Sequence, residues 1–103
     1  TISLIENGTP VVAIGSNNKI FSKTASNISE VKSRGAKVFL ITDESEKETT
    51  PLVDDSVYVP STAPEFQSSL LVIPLQLLSY YTAKLLGRDI DKPKNLAKSV
   101  TVE

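Results

Sequence analysis

The fold is decided by residues 10–43, which read PVVAIGSNNKIFSKTASNISEVKSRGAKVFLITD. Their first six residues are a short, β-branched run that ends at Gly15, and a second apolar run, Ala36 to Thr42, ends before Asp43. Apolar runs without alternating polar positions are typical of strands that are covered on both faces of a parallel sheet. The stretch therefore predicts two buried strands, joined by the segment between them.

The joining segment has the spacing of an amphipathic helix. Its apolar residues recur every three or four positions and so fall on one face. They are Phe21, Ala25, Ile28 and Val31. Ser22 can cap the start of this helix, and Gly35 stands where a helix C-terminus is expected.

The flanking segments extend the pattern. Ser56 to Pro60 predict a third, shorter strand, and Pro64 can open a helix that ends at Gly87. This helix is apolar over a wide arc, so we expect it to be the most buried one, with a break or kink at Pro74. Ile2 to Ile5 resemble the end of a preceding helix.

Strand, helix, strand, strand, helix is the pattern of an α/β fold with a doubly wound parallel sheet. Three strands are few for such a sheet, and the first residue is Thr1 rather than Met. Simple removal of an initiator Met would explain Thr1, but we expect a truncated domain. This domain spans residues 1–87, and the polar, Pro-interrupted residues 88–103 form an extended C-terminal tail.

The composition excludes several kinds of site and partner. The 103 residues include no Cys and no His, which excludes disulfides, thiolate metal sites and a cysteine or histidine catalyst. A formal net charge of -1 argues against binding to nucleic acid or to an anionic membrane. The longest apolar stretch, Leu70 to Leu78, is far shorter than the ~20 residues that cross a bilayer. We expect a soluble, cytoplasmic protein without a signal peptide.

The loop after the first strand is a candidate phosphate site. In open α/β sheets ligands bind at this position, and a helix N-terminus favours anions. The residues that can hold a phosphate there are Ser16, Asn17, Ser22 and Thr24. The alternative is an ordinary strand-to-helix connection, which the missing glycine-rich dinucleotide fingerprint favours.

Two further residues have alternative interpretations. Asp43, at the end of the second strand, can serve as a ribose-binding acid or a phosphoacceptor, but a turn residue is the favoured interpretation. Lys98 lies beside Leu96, Ala97 and Val100, and a lysine pressed against apolar neighbours can act as a nucleophilic amine. Taken alone, the residues favour a solvated tail lysine.

The tail also carries a recognisable motif. Asp91 to Glu103 resembles the C-terminus of the glutamine–fructose-6-phosphate aminotransferases, D-x-P-R-N-L-A-K-S-V-T-V-E, with Lys94 where arginine is usual. Ile73 to Tyr81 resembles the P-L-Q-L-L-A-Y helix of the same family, and Thr1 to Val12 resembles the stretch after its K-H-G motif. The resemblance covers the whole chain.

The resemblance implies a sugar isomerase (SIS) fold, here most of the second of two such domains. It implies an enzyme that converts fructose 6-phosphate and glutamine into glucosamine 6-phosphate and glutamate, in amino-sugar biosynthesis, without a metal or organic cofactor. It implies that Lys98 forms a Schiff base with the open-chain ketose, that the Ala97 backbone lies near the sugar, and that Leu96 and Ala97 border the ammonia channel.

The resemblance also implies what the chain lacks. The family's glutaminase domain with its N-terminal Cys, its first SIS domain and its proton-transferring Glu and His are not in this sequence. We therefore expect the isolated chain to be inactive and its partners to be the remaining domains of the same enzyme, in a homo-oligomer.

Two alternatives stay open. One is a non-catalytic sugar-phosphate-binding SIS module that uses the loop from Ser16 to Thr24. The other is a structural dimerisation domain, since truncation would leave Val11 to Ile14 as an apolar sheet edge that can pair with a second chain.

Overall fold

The computed structural model describes residues 2–16, 20–47 and 51–92. Its strands and helices, in chain order, are β1 (Pro10–Ile14), α1 (Phe21–Ser33), β2 (Lys37–Asp43), β3 (Asp55–Val59) and α2 (Pro64–Leu85). Short 3₁₀ helices occupy Ile2–Leu4 and Glu44–Glu46. The described residues form two compact units, one up to Val72 and the other from Ile73 to Lys92.

The three strands form one parallel sheet in the order β1-β2-β3. Val12 of β1 pairs with Phe39 of β2, and Ile41 of β2 pairs with Val57 of β3. The predicted α/β fold with an open parallel sheet is confirmed, and each predicted strand lies within one residue of its observed bounds. All three carboxyl ends lie at the same edge of the sheet because the strands are parallel.

The core lies between α1 and one face of the sheet. Ile28 and Val31 of α1 pack with Val38 and Leu40 of β2, and these four side chains are buried. The other face of β1 is not covered by the described residues, since Val12 and Ile14 are each 42% exposed. The expectation of strands covered on both faces therefore holds for β2 and is wrong for β1.

The start of α1 differs from the prediction. The residue before the helix is Ile20, no side chain caps it, and Ser22 lies inside the first turn. The capping role of Ser22 is therefore wrong. The reason is that Phe21 is buried and its ring packs on Gly15, where an added Cβ would come within 2.9 Å of ring atom Cδ2. This contact places Phe21, rather than a polar cap, at the first helical position.

The end of α1 is as predicted. Gly35 has a φ of +89°, and its N–H donates to the carbonyl of Lys32 at 2.9 Å. The carbonyl of Gly35 in turn accepts from the N–H of Gly8, at 2.8 Å. The left-handed conformation, which favours glycine, therefore both ends α1 and joins it to the turn before β1.

Asp54 links α1 to the sheet on the side away from the strand ends. Its Oδ2 accepts from the Nζ of Lys32 at 2.7 Å and from the N–H of Val38 at 2.7 Å. The hydrogen bond from Lys32, followed by that from Val38, lowers the pKa of the Asp54 carboxyl. Lys32 and Asp54 thus form an ion pair between the helix and the segment before β3.

The expectation that the second long helix is the most buried one is wrong. In α2 only Gln67 and Leu71 are buried, whereas Phe66 is 65% exposed and Leu77 is 52% exposed. The helix does not break at Pro74, since one helix runs from Pro64 to Leu85, and a kink there stays a prediction. Proline removes one backbone hydrogen bond, and the leucine-rich residues around it are strong helix formers.

Across the described residues, no helix is both long and apolar enough to span a bilayer.

Candidate functional site

A cavity of about 300 Å³ opens where the three strands end. Its lining residues end β2, follow one of the three strands in the chain, or lie in the first turn of α2. They are Ser16, Asp43, Ser45, Ser61, Thr62, Pro64 and Gln67. We call it the Asp43 cavity. Ligands of open α/β sheets bind outside the carboxyl ends of the strands, which is where this cavity lies.

Asp43 is the most buried polar side chain of this cavity, with 1% of its surface exposed. Its Oδ1 accepts hydrogen bonds from the N–H of Ser45 at 2.9 Å, from the hydroxyl of Ser61 at 3.0 Å, and from the hydroxyl of Ser45. The carboxylate thereby caps the 3₁₀ helix Glu44–Glu46. The favoured interpretation of Asp43 as a turn residue agrees with this geometry.

The part of the chain that the structure describes shows no divalent-cation site of the kind that a phosphoacceptor would need. Within residues 2–16, 20–47 and 51–92, no group of three or more His, Cys, Asp or Glu side chains is arranged to hold a metal ion.

Gln67 fixes the opposite wall of the Asp43 cavity. Its Oε1 accepts from the N–H of Thr62 at 2.8 Å, and its Nε2 donates to the carbonyl of Pro60 at 3.2 Å. Gln67 is buried, and its two part-buried hydrogen bonds join the loop between β3 and α2 to the first turn of α2. No sequence motif identifies Gln67 as a site residue. The only sequence signal for Ser45 and Ser61 is that each follows the end of a predicted strand.

A second, smaller cavity of about 210 Å³ lies beside the loop after β1. Its lining is mostly apolar and consists of Ile14, Gly15, Ser16, Ile20, Phe21, Thr24 and Leu71. We call it the Thr24 cavity. It brings together two of the four residues predicted for a phosphate site, Ser16 and Thr24. Ser22 is exposed and does not line it, and Asn17 lies outside the described residues.

The predicted catalytic tail lies outside the described residues. This applies to Lys94, Leu96, Ala97 and Lys98, whose roles stay predictions. The described chain leading to them leaves α2 through Gly87, which has a φ of +64°. The carboxylate of Asp89 then accepts from the N–H groups of Asp91 and Lys92, at 3.0 and 2.9 Å. The boundary between residues 87 and 88 stays a prediction as well.

Comparison with known proteins gives several relatives at high identity. The glutamine–fructose-6-phosphate aminotransferase (isomerizing) of Clostridium acetobutylicum is 52% identical over 103 residues, and that of Clostridium tetani is 50% identical over 102. The Thermus thermophilus enzyme of the same name is 49% identical over 102 residues. These alignments cover 99–100% of this chain and 17% of each relative, so the chain spans about a sixth of their length.

A solved structure and a family model agree on the fold. The C-terminal domain of glucosamine-fructose-6-phosphate aminotransferase from Francisella tularensis superposes with a TM-score of 0.79 at 34% identity, covering 88% of this chain and 26% of that one. The family model described as the SIS domain matches residues 1–86. With three parallel strands, flanking helices and a match over most of its length, the chain belongs to the SIS domain family.

Proposed function

We propose that the chain is the C-terminal part of the isomerase region of an enzyme that makes glucosamine 6-phosphate. The substrates of that enzyme are fructose 6-phosphate and glutamine, its second product is glutamate, and it works in the cytoplasm without a cofactor. The observation that carries the proposal is 52% identity over all 103 residues to an aminotransferase of that name, with the tail motif included. The chain supplies one part of the site, and the remaining domains of the same polypeptide supply the rest.

In this proposal Lys98 performs the covalent step. Its neutral amine attacks C2 of the open-chain ketose and releases water, which gives an imine. Ammonia derived from glutamine then adds to C2 and releases the lysine amine. A carboxylate from another domain moves a proton from C1 to C2 of the resulting ketimine, while the proton of the C1 hydroxyl passes to the nitrogen, which gives the 2-amino aldose. Ala97 contacts the sugar through its backbone, and Leu96 and Ala97 border the path of the ammonia.

A chimera tests this proposal. The matching region of the Clostridium acetobutylicum relative is replaced by these 103 residues, and formation of glucosamine 6-phosphate is measured. We expect an active chimera. Lys98→Arg removes the nucleophilic amine but keeps the positive charge, and we expect it to lower synthase activity by about 10²-fold or more while glutamine hydrolysis persists. Borohydride with fructose 6-phosphate is expected to add the mass of the sugar to the Lys98 peptide.

Lys92→Arg is the matched control, because Lys92 is an exposed lysine and the substitution makes the same change of side chain. This variant is expected to keep full synthase activity. Full activity of Lys98→Arg, or the absence of a sugar adduct in the active chimera, would contradict the Schiff-base role. A well-folded chimera that hydrolyses glutamine but makes no product would contradict the proposed function as a whole.

A second candidate function is a sugar-phosphate-binding SIS module. It is favoured by the placement of Ser16 and Thr24 in one cavity beside the start of α1. In this function the phosphate would bind between Ser16 and Thr24, the two predicted residues that line the cavity. Calorimetric titration of the 103-residue chain with fructose 6-phosphate separates the two functions. Tight binding that Thr24→Val abolishes would favour the module, whereas no binding would favour the aminotransferase fragment.

A further inference from the structure

The Asp43 cavity is rich in hydrogen-bond acceptors. A carboxylate oxygen accepts hydrogen bonds, and the hydroxyls that contact Oδ1 of Asp43 direct their protons toward it. The hydroxyls of Ser45 and Ser61 are both held in this way. Their remaining lone pairs are therefore the groups that these two serines can offer to a ligand.

The backbone and amide donors around the same cavity are mostly committed elsewhere. The N–H of Ser45 donates to Asp43 and Ser61, and the N–H of Thr62 donates to Gln67. At the start of α2, Pro64 has no N–H, and the N–H groups of Phe66 and Gln67 both donate to the carbonyl of Ala63, at 2.9 and 3.2 Å. This helix start therefore lacks most of the free amides that hold a phosphate at a helix N-terminus.

Among the described residues, a buried carboxylate, two proton-committed hydroxyls and few free backbone donors are the opposite of an anion site. A ligand that fits must therefore bring its own hydrogen-bond donors. A ligand hydroxyl group is a neutral donor, and it can also accept hydrogen bonds from the hydroxyls of Ser16 and Thr62. The volume of about 300 Å³ lies at the lower end of the range for small-molecule sites, roughly 300–1,000 Å³. We propose that the Asp43 cavity binds the hydroxyl groups of an uncharged sugar or polyol and excludes phosphate.

The proposal rests on described residues and stands apart from the Schiff-base chemistry of the tail. It is tested on the isotope-labelled 103-residue chain by following backbone amide shifts in NMR titrations with sorbitol, fructose and inorganic phosphate. We expect sorbitol and fructose to shift the amides of Ser45, Ser61 and Thr62 along saturable curves, and phosphate to leave these amides unchanged. Phosphate bound in the Thr24 cavity would instead shift Gly15 and Thr24.

Variants sharpen the test. Ser61→Ala removes one acceptor, and we expect it to weaken sorbitol binding by about three- to tenfold, the effect of one neutral hydrogen bond. Ser45→Ala is a second variant with the same expected direction. The control is Ser29→Ala, because the hydroxyl of Ser29 is exposed on α1, away from the cavity lining, and donates to the carbonyl of Ala25.

Three results would overturn the proposal. The first is the absence of saturable sorbitol and fructose shifts in the wild-type chain, and the second is a phosphate-induced shift of the Asp43 cavity amides. The third is unchanged sorbitol affinity in both Ser61→Ala and Ser45→Ala. The wild-type titrations decide the matter by themselves if either variant fails to fold.

Discussion

Replacing Gly35 with alanine is expected to destabilise the chain more than the same replacement at Gly8, although both glycines have a positive φ. Gly8 has a φ of +85° and Gly35 one of +89°, so the backbone penalty for a side chain is nearly the same at the two positions. They differ in their surroundings. A Cβ on Gly8 would meet no atom within 4 Å, whereas a Cβ on Gly35 would come within 2.9 Å of the Cα of Asn7.

The magnitudes follow from these contacts. A left-handed alanine costs about 1–2 kcal/mol, and the reduced entropy of the unfolded chain offsets about 0.4–1 kcal/mol of that. We therefore expect Gly8→Ala to lower the free energy of unfolding by ~1 kcal/mol. At Gly35 the clash is with backbone, which cannot rotate away. Forcing atoms into a packed site costs about 1–3 kcal/mol, so the expected total for Gly35→Ala is ~2–4 kcal/mol.

Urea unfolding followed by circular dichroism measures both variants against the wild-type chain. The comparison uses the midpoint shift at constant m-value, so that a changed unfolded state is not mistaken for lost stability. Thermal unfolding gives an independent measurement, because each kcal/mol of lost stability lowers the melting temperature of a domain of this size by about 4–8 °C. Equal destabilisation by Gly8→Ala and Gly35→Ala would refute the steric part of the reasoning, since only Gly35 lies against Asn7.

Three other predictions concern activity, assembly and pH. The 103-residue chain alone is expected to form no glucosamine 6-phosphate from fructose 6-phosphate and glutamine. It has neither Cys nor His, and the loss of a catalytic acid or base commonly lowers the rate by ~10²–10⁴-fold. Turnover at enzyme-like rates in a coupled assay would contradict this. The chain is expected to self-associate through β1, whose edge carries no charged residue. Its sedimentation coefficient should therefore depend on concentration, and Val12→Lys should shift the equilibrium toward monomer. A wild-type chain that sediments as a monomer at all concentrations would contradict this. The folded-state pKa of Asp54 is lowered, so its ionised form stabilises the fold at pH values above its ordinary pKa of 3.8. This contribution disappears as the pH falls through the folded-state pKa. Asp54→Asn should therefore flatten the acid limb of a stability–pH curve, and an unchanged limb would rule the ion pair out as its source.

The strands and α1 could be predicted because their signals are local. The apolar runs that end at Gly15 and Thr42 are long enough to specify strands, and the apolar stripe through Ile28 and Val31 specifies the buried face of α1. The error at Ser22 has a physical cause. A polar residue at a helix start is a weaker determinant than the burial of Phe21 against Gly15, and this contact is not visible in the sequence.

The burial of α2 could not be predicted from its composition. Apolar residues around a helix show how much surface could be buried, but they do not show what is present to cover it. The described residues bury Gln67 and Leu71 and leave Phe66 and Leu77 exposed. The Asp43 cavity was missed for a related reason. Asp43 and Ser61 meet because β2 and β3 are parallel neighbours that end at the same edge, and this pairing is a tertiary property.

The position of β2 between two parallel neighbours has a consequence for local opening. Its backbone is paired with both β1 and β3, and Leu40 and Ile41 have no exposed surface. Deuterium can replace their amide protons only when the sheet separates, so the exchange of these two amides reports the global free energy of unfolding. In β1, the amides that face away from β2 exchange by small fluctuations of the edge. The slowest protons of the molecule therefore mark β2 as the centre of its cooperative unit.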